Sequence, residues 1–280
     1  MSVVLNHNKI PFTKMSGAGN DFAIFDARKT PLQFTSSQIQ KISDRKNIGC
    51  DQFIIIRNSN EVDCLMEIFN SDGSASSACG NATRCVAAIL FNEKAKDKIT
   101  IQTAAGFLEC HDNKDGTISV NMGIPNFAWQ KIPLSQEIDS QEIALFGHNF
   151  ATVNVGNPHA VSFIAAKLSD EEFFTIGPKV ETNQVFPQKT NVEFAKVIND
   201  NLIEVRVWER GVGETSACGT GACAVGILAI KHGKVNSNKV ITRFKGGDLT
   251  IEWQGEKSPV IMSGGYQTIF TGELDENFLH

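Results

Sequence analysis

One four-residue phrase occurs twice in this chain, as Ser77-Ala78-Cys79-Gly80 and as Ser216-Ala217-Cys218-Gly219. Each copy runs directly into a segment of small and apolar residues with helical character. The two cysteines lie 139 residues apart in a chain of 280. Self-similarity at a fixed period marks repeated structural units, so the spacing asks whether the whole chain is a duplication. Sliding the sequence by 139 residues without gaps sets Gly17 on Gly156, Asn20 on His159, Gln52 on Asn191, Phe69 on Trp208, Asn70 on Glu209, Ala82 on Gly221 and Val86 on Val225. Further along the register drifts, with Gly106 meeting Gly246 or Gly247. Two similar halves most simply pack about a pseudo-two-fold axis with a cleft between them, and equivalent residues then approach that cleft from opposite sides.

The order of predicted elements repeats as well. In the first half, strand 12–15, a glycine-rich turn and strand 22–25 lead to a helix over 36–43, with Ser36 or Ser37 as N-cap and Ile39 and Ile42 on one face. Strands over 52–57 and 63–69, the loop 70–74, the Cys79 helix to Phe91 and a meander over 99–103, 107–111 and 117–121 follow. The second half reads as strands 150–155 and 160–164, a helix over 169–176, strands 192–197 and 203–208, a helix over 221–231 and strands 239–244 and 248–253. Residues through Lys9 read as a frayed extension. Gly123 to Pro133, with two prolines and Trp129, reads as the linker. The expected division is 1–127 with 268–280 for the domain carrying Cys79, and 128–267 for the domain carrying Cys218, with the active site in the cleft.

Composition narrows the function. A chain of this length holds about two domains, each able to bury a core. The net charge of −5 and the lack of a basic run argue against a nucleic-acid binder. The longest apolar run, Cys223 to Ile230, is far below the ~20 residues of a membrane helix, and Ser2 to Leu5 is too short for a signal-peptide core. A cytoplasmic protein is expected. Seven cysteines, at 50, 64, 79, 85, 110, 218 and 223, form an odd set of expected free thiols, five of them structural.

A thiol at a helix N-terminus sits against unpaired N–H groups and the positive end of the dipole, which favours thiolate. The following glycine lets an anion reach the same N–H groups. One such end suits a carboxylate beside a proton-transferring sulfur; two opposed ends suit one carbon held between a thiolate and a thiol. That is two-base racemisation or epimerisation, with the carboxylate taking the developing charge, and it requires no metal or organic cofactor. The simpler readings differ. Cys85 and Cys223 lie among Val, Ala, Ile and Leu as core, and four cysteines spaced six and five apart do not match a zinc knuckle. His159 reads either as a local hydrogen-bonding residue or as a site residue beside its turn. Glu209-Arg210 reads either as a surface pair or as a grip on an ammonium and a carboxylate.

With these residues in view, the chain resembles the diaminopimelate epimerase family from Phe12 to the C-terminus. The motifs that carry the resemblance are Gly17-Ala18-Gly19-Asn20-Asp21-Phe22, Gly49-Cys50-Asp51-Gln52, Phe69-Asn70-Ser71-Asp72-Gly73-Ser74, Ala78-Cys79-Gly80-Asn81, Gly156-Asn157-Pro158-His159, Glu209-Arg210-Gly211-Val212-Gly213-Glu214-Thr215 and Ala217-Cys218-Gly219-Thr220-Gly221. The resemblance implies an α+β fold of two similar domains, each a curled, mostly antiparallel, barrel-like sheet around a central helix, and a homodimer. It implies cofactor-independent interconversion of LL- and meso-2,6-diaminopimelate in lysine and cell-wall precursor synthesis, with no nucleic-acid or membrane partner. Cys79 and Cys218 match the catalytic pair, and His159 and Glu209 match thiol-tuning groups. Asn20, Gln52, Asn70, Gly80, Asn81, Asn157, Asn191, Glu209, Arg210, Gly219 and Thr220 match substrate-binding positions. The chain departs from the family at Ala82, commonly Gly, and Trp208, commonly Tyr. A related amino-acid or proline racemase, and a thiol redox or zinc-binding protein, are the competing readings.

Overall fold

The computed structural model describes residues 9–94 and 96–279, so most of the expected N-terminal extension lies outside the described residues. The chain forms two compact units, one of residues 1–118 with 265–280 and one of residues 119–264.

The first unit holds β1 (Lys9–Gly17), β2 (Asn20–Asp26), α1 (Ser36–Ser43), β3 (Gln52–Arg57), β4 (Cys64–Asn70), β5 (Ala75–Ser76), α2 (Gly80–Glu93), β6 (Lys98–Thr103) and β7 (Gly106–Asp112). The strand β8 (Thr117–Asn121) leads into the second unit. There follow β9 (Ile143–Leu145), β10 (His148–Asn154), β11 (Pro158–Phe163), α3 (Asp170–Glu181), β12 (Asn191–Asn199), β13 (Leu202–Glu209), β14 (Gly213–Glu214), α4 (Gly219–Lys231), β15 (Lys239–Phe244), β16 (Gly247–Trp253) and β17 (Val260–Gly265). The last strand, β18 (Gln267–Asp275), returns to pair antiparallel with β1.

Both units use one pairing scheme. In the first, β1–β2 is antiparallel, β2–β3 parallel, β3–β4 and β4–β5 antiparallel, β4–β6 parallel and β6–β7 antiparallel. The second repeats this order as β10–β11, β11–β12, β12–β13, β13–β14, β13–β15 and β15–β16. Each parallel step needs a crossover, supplied by α1 and α2 in the first unit and by α3 and α4 in the second. Central helices follow from sequence. In α2, every residue from Gly80 to Ala88 is buried, and α4 is buried from Ala222 to Ala229. A helix buried on all sides belongs inside its sheet rather than on it.

The outer helices are amphipathic and seal a second apolar layer. Ile39 and Ile42 of α1 pack over Phe25 and Phe53, whose rings stack 4.7 Å apart. Phe173 of α3 packs over Phe150 and Phe194. The N-cap of α1 is Thr35, not Ser36 or Ser37, because Thr35 and Gln38 form a reciprocal capping box. α3 runs past its expected end at Ile176 to Glu181, starting from the Ser169–Glu172 capping box.

From β2 onward the register drifts in steps of two. Phe53 opposes Phe69 as Val192 opposes Trp208, a shift of 139. Phe22 opposes Gln52, whereas His159 opposes Asn191, so β2 and β11 are related by 137. Ile99 opposes Cys110 as Val240 opposes Ile251, a shift of 141. The ungapped match of Asn20 to His159 is therefore corrected: Asn20 corresponds to Asn157, and His159 corresponds to Phe22. The cause is the crossover carrying α3, two residues longer than the one carrying α1. Two is the strand period, so no side chain changes face.

The proline-containing stretch 123–133 does not hang free. Asn126 and Asn154 exchange backbone hydrogen bonds of 2.8 and 2.9 Å, and Ile132 is buried in the Phe150 core. No helix among the described residues is long and apolar enough to cross a membrane.

Candidate active site

Cys79 occupies the N-cap of α2 in extended backbone (φ −153°, ψ 107°), with its Sγ 3.5 Å from the Ala82 N–H. The backbone N–H groups of the first turn are left without helical acceptors, as at any helix start. Asn81 donates to Asn20 Oδ1 at 2.6 Å, and its own oxygen accepts from the wholly buried Arg84 guanidinium at 3.0 Å. Arg84 thereby fixes which end of the Asn81 amide faces Asn20.

Gln52 and Asn70 oppose each other on β3 and β4, and Gln52 Nε2 donates to Asn70 Oδ1 at 3.2 Å. Asn70 Nδ2 in turn donates to Ser74 Oγ at 3.0 Å. Asn20 stands two residues before the Gln52 partner Phe22, so Asn20, Gln52 and Asn70 share one end of three neighbouring strands. Asp21 and Asp51, the neighbours of Asn20 and Gln52, lock that end. Each backbone N–H donates to the other's carboxylate at 3.0 Å, and Arg45 bridges both. Burial raises the Asp21 pKa, but hydrogen bonds from Arg45 and Lys14 outweigh it and hold the carboxyl below the usual range.

Cys218 caps α4 in the same way (φ −130°, ψ 118°), with Sγ 3.4 Å from the Gly221 N–H and 3.4 Å from Thr220 Oγ1. It is only 6 % exposed. Burial pushes this thiol well up, and the Glu209 and Glu193 carboxylates push it further, against the smaller pull of Thr220 and Gly221. The helix end is thus outweighed, and Cys218 rests as a thiol. Burial also raises Glu209, opposed by hydrogen bonds from Thr215 and Cys218.

The remaining residues of the second unit lie around a buried His159–Glu193 pair. His159 is enclosed, with Nδ1 2.7 Å from Glu193 Oε1 and Nε2 2.8 Å from Asn157 Oδ1. Asn191 donates to Pro158 O at 2.9 Å and accepts from Arg210 N at 2.9 Å. The loop after β13 is pinned by the buried Glu181, which accepts from Trp208 Nε1 at 2.8 Å and from Gly211 N at 2.9 Å. The Arg210 guanidinium reaches Gln188 O at 3.3 Å.

The expected site residues divide between the two units. Asn20, Gln52, Asn70, Gly80 and Asn81 lie with Cys79 in the first unit. Asn157, His159, Asn191, Glu209, Arg210, Gly219 and Thr220 lie with Cys218 in the second. Glu193 was missed. Its sequence signal is an acid at a buried position of an apolar strand, two residues after Asn191, where the first unit has Ile54. It explains the glycine at 221, since a methyl there would lie 2.8 Å from Glu193 Oε1 and 3.2 Å from Cys218 Cβ. The first unit carries Ala82 at the matching position and no acid behind it.

The other cysteines lie deep. Burial pushes Cys64, Cys85 and Cys110 up to about 12, and of the seven thiols Cys79 alone is not buried. At pH 8 these three stay protonated, because their pKa values lie above the solution pH and thiolate is the reactive form. Iodoacetamide should alkylate Cys79 first and leave Cys64, Cys85 and Cys110 intact in the folded enzyme. Peptide mass mapping reads this; equal labelling of those three would contradict their burial.

Comparison with known proteins agrees with this arrangement. The sequence model of the diaminopimelate epimerase family matches residues 12–128 and 151–269. A diaminopimelate epimerase of Sphingopyxis alaskensis is 44 % identical over 269 residues, covering 94 % of this chain and 97 % of the relative. Among solved structures, a Bacillus anthracis phenazine biosynthesis protein of the PhzF family has TM-score 0.67 at 16 % identity, covering 95 % of this chain and 99 % of that one. An Agrobacterium vitis hydroxyproline epimerase has TM-score 0.65 at 14 % identity, covering 96 % and 93 %. These two likenesses establish a shared fold. The match across both half-sites, at this identity and over nearly the whole length, places the chain in the diaminopimelate epimerase family.

Proposed function

We propose that this enzyme interconverts LL- and meso-2,6-diaminopimelate by moving one α-proton between two thiols, with no organic cofactor. The observation that carries the reading is the paired N-cap cysteine, each followed by Gly, in a chain of this family. In one direction the Cys79 thiolate removes the α-proton from one face of the carbon. The C–H electron pair passes into the carboxylate as an enediolate-like species. Cys218, resting as a thiol, then gives its proton to the opposite face, leaving Cys79 as thiol and Cys218 as thiolate. In the reverse direction the roles exchange.

The reacting carboxylate is held by the N–H groups of the helix first turns, at Gly80 and Asn81 and at Gly219 and Thr220. Diaminopimelate carries an amino-acid group at each end, so a second set of groups must read the distant end. Asn20, Gln52, Asn70 and Asn191 carry both donor and acceptor atoms, and Asn157 adds a further amide. Arg210 suits a carboxylate and Glu209 an ammonium. His159 and Glu209 also tune the Cys218 thiol, which the Glu209 charge raises. The enzyme acts as a homodimer in the cytoplasm, in lysine and cell-wall precursor synthesis.

The competing substrate class is proline or a related amino acid, and α-hydrogen exchange in deuterated water separates the two. Diaminopimelate should lose its α-hydrogen and proline should keep it. Exchange with proline alone would contradict the assignment.

A further inference from the structure

The Glu193 carboxylate is wholly buried, and its Oε2 has no hydrogen-bond partner among the described residues. Buried carboxylates are ordinarily satisfied at both oxygens, so the balance of this charge falls on His159, 2.7 Å away at Nδ1. The other ring nitrogen meets Asn157 Oδ1 at 2.8 Å. An amide oxygen only accepts, so Nε2 carries a proton.

Two arrangements satisfy both contacts. Either His159 is doubly protonated beside an ionised Glu193, or a protonated Glu193 donates to Nδ1 of a neutral ring. Both are neutral overall, and both keep Nε2–H on Asn157 Oδ1. The third arrangement, a neutral ring with a bare Nε2, would set that lone pair against the Asn157 oxygen 2.8 Å away and leave the contact without a proton. With its oxygen on Nε2, the Asn157 amide has its NH2 group turned away from the ring.

We propose that Glu193 is a positioning residue for the epimerisation, acting through His159 to present only the NH2 group of Asn157 to the ligand, so that this position takes a carboxylate and rejects an ammonium. The inference rests on the reading of Asn157 as a substrate-binding residue given above. Gly221 is part of the device, because any side chain there would displace the Glu193 carboxylate.

The test uses the full-length enzyme with Glu193→Gln and Glu193→Leu. Gln can donate to or accept from Nδ1, so the ring tautomer is no longer fixed; Leu gives Nδ1 no partner. In both, KM for diaminopimelate should rise roughly tenfold, the loss of about one directed hydrogen bond, with kcat changing less. In the substrate-free protein, 15N NMR of the His159 ring should move from the Nε2-protonated state to a mixture of tautomers. The near-isosteric Gln variant carries the test should the Leu variant fail to fold. Because the NMR readout needs no substrate, a changed His159 tautomer in an enzyme that does not turn over diaminopimelate would support the relay while sinking the substrate assignment. An unchanged KM together with an unchanged Nε2–H signal in the folded Gln variant would overturn the inference.

Discussion

Replacing either Cys79 or Cys218 with Ala should lower kcat/KM for diaminopimelate by on the order of 10³-fold or more, because each turnover needs a proton removed by one sulfur and supplied by the other. The fold should survive. Each cysteine caps its helix through a long sulfur contact, 3.5 Å for Cys79 and 3.4 Å for Cys218. Losing a cap costs about 1 kcal/mol even for a good oxygen acceptor. Far-UV circular dichroism and a thermal melt should resemble the parent, and the loss should appear in turnover alone. Near-normal activity in either variant would contradict the two-thiol scheme. Loss of activity accompanied by unfolding would instead mark that cysteine as structural.

The second large effect is expected at Gly221→Ala. Alanine is ordinarily favoured over glycine inside a helix by about 1 kcal/mol. Here its methyl would press on Glu193 Oε1 at 2.8 Å, a contact no real Cβ holds, and on Cys218 Cβ at 3.2 Å. Overpacking of a filled site costs about 1–3 kcal/mol, so the propensity gain is outweighed. The Cys218 sulfur shifts with its neighbour, and under the proposed two-thiol scheme a misplacement near 1 Å costs on the order of 10²-fold in rate. Thermal unfolding and steady-state kinetics should both deteriorate. Ala82→Gly is the control: no carboxylate lies behind Ala82, so it should lose helix propensity and keep most activity. A Gly221→Ala enzyme more stable than the parent and fully active would show that the Glu193 contact relaxes freely.

The comparison between positions 82 and 221 shows what the sequence could and could not tell. The two capping cysteines, the buried helices behind them and the polar residues at strand ends were legible because they follow local rules: helix-start chemistry, apolar periodicity and turn glycines. Thr35 was not legible as the cap of α1, since three hydroxyl residues in a row offer equivalent caps and only the reciprocal Gln38 contact selects one. β18 gave no strand signal because nearly all of its residues are exposed, and apolar alternation is absent where neither face is covered. The pairing of Asn20 with Asn157 was hidden by two extra residues in the α3 crossover, which no ungapped register can absorb. Glu193 was hidden for another reason. A buried acid is recognised by its partner, and His159 lies on the neighbouring strand rather than nearby in sequence.

The central claim is that two different sulfurs act on opposite faces of one carbon, and it is tested most directly by running LL-diaminopimelate in deuterated water and sampling the first few per cent of conversion. The account predicts that newly formed meso product carries deuterium at the inverted α-carbon while unreacted LL substrate keeps its hydrogen. Product that retains the original hydrogen, or substrate that gains deuterium as fast as product forms, would indicate a single base working on both faces and would contradict it.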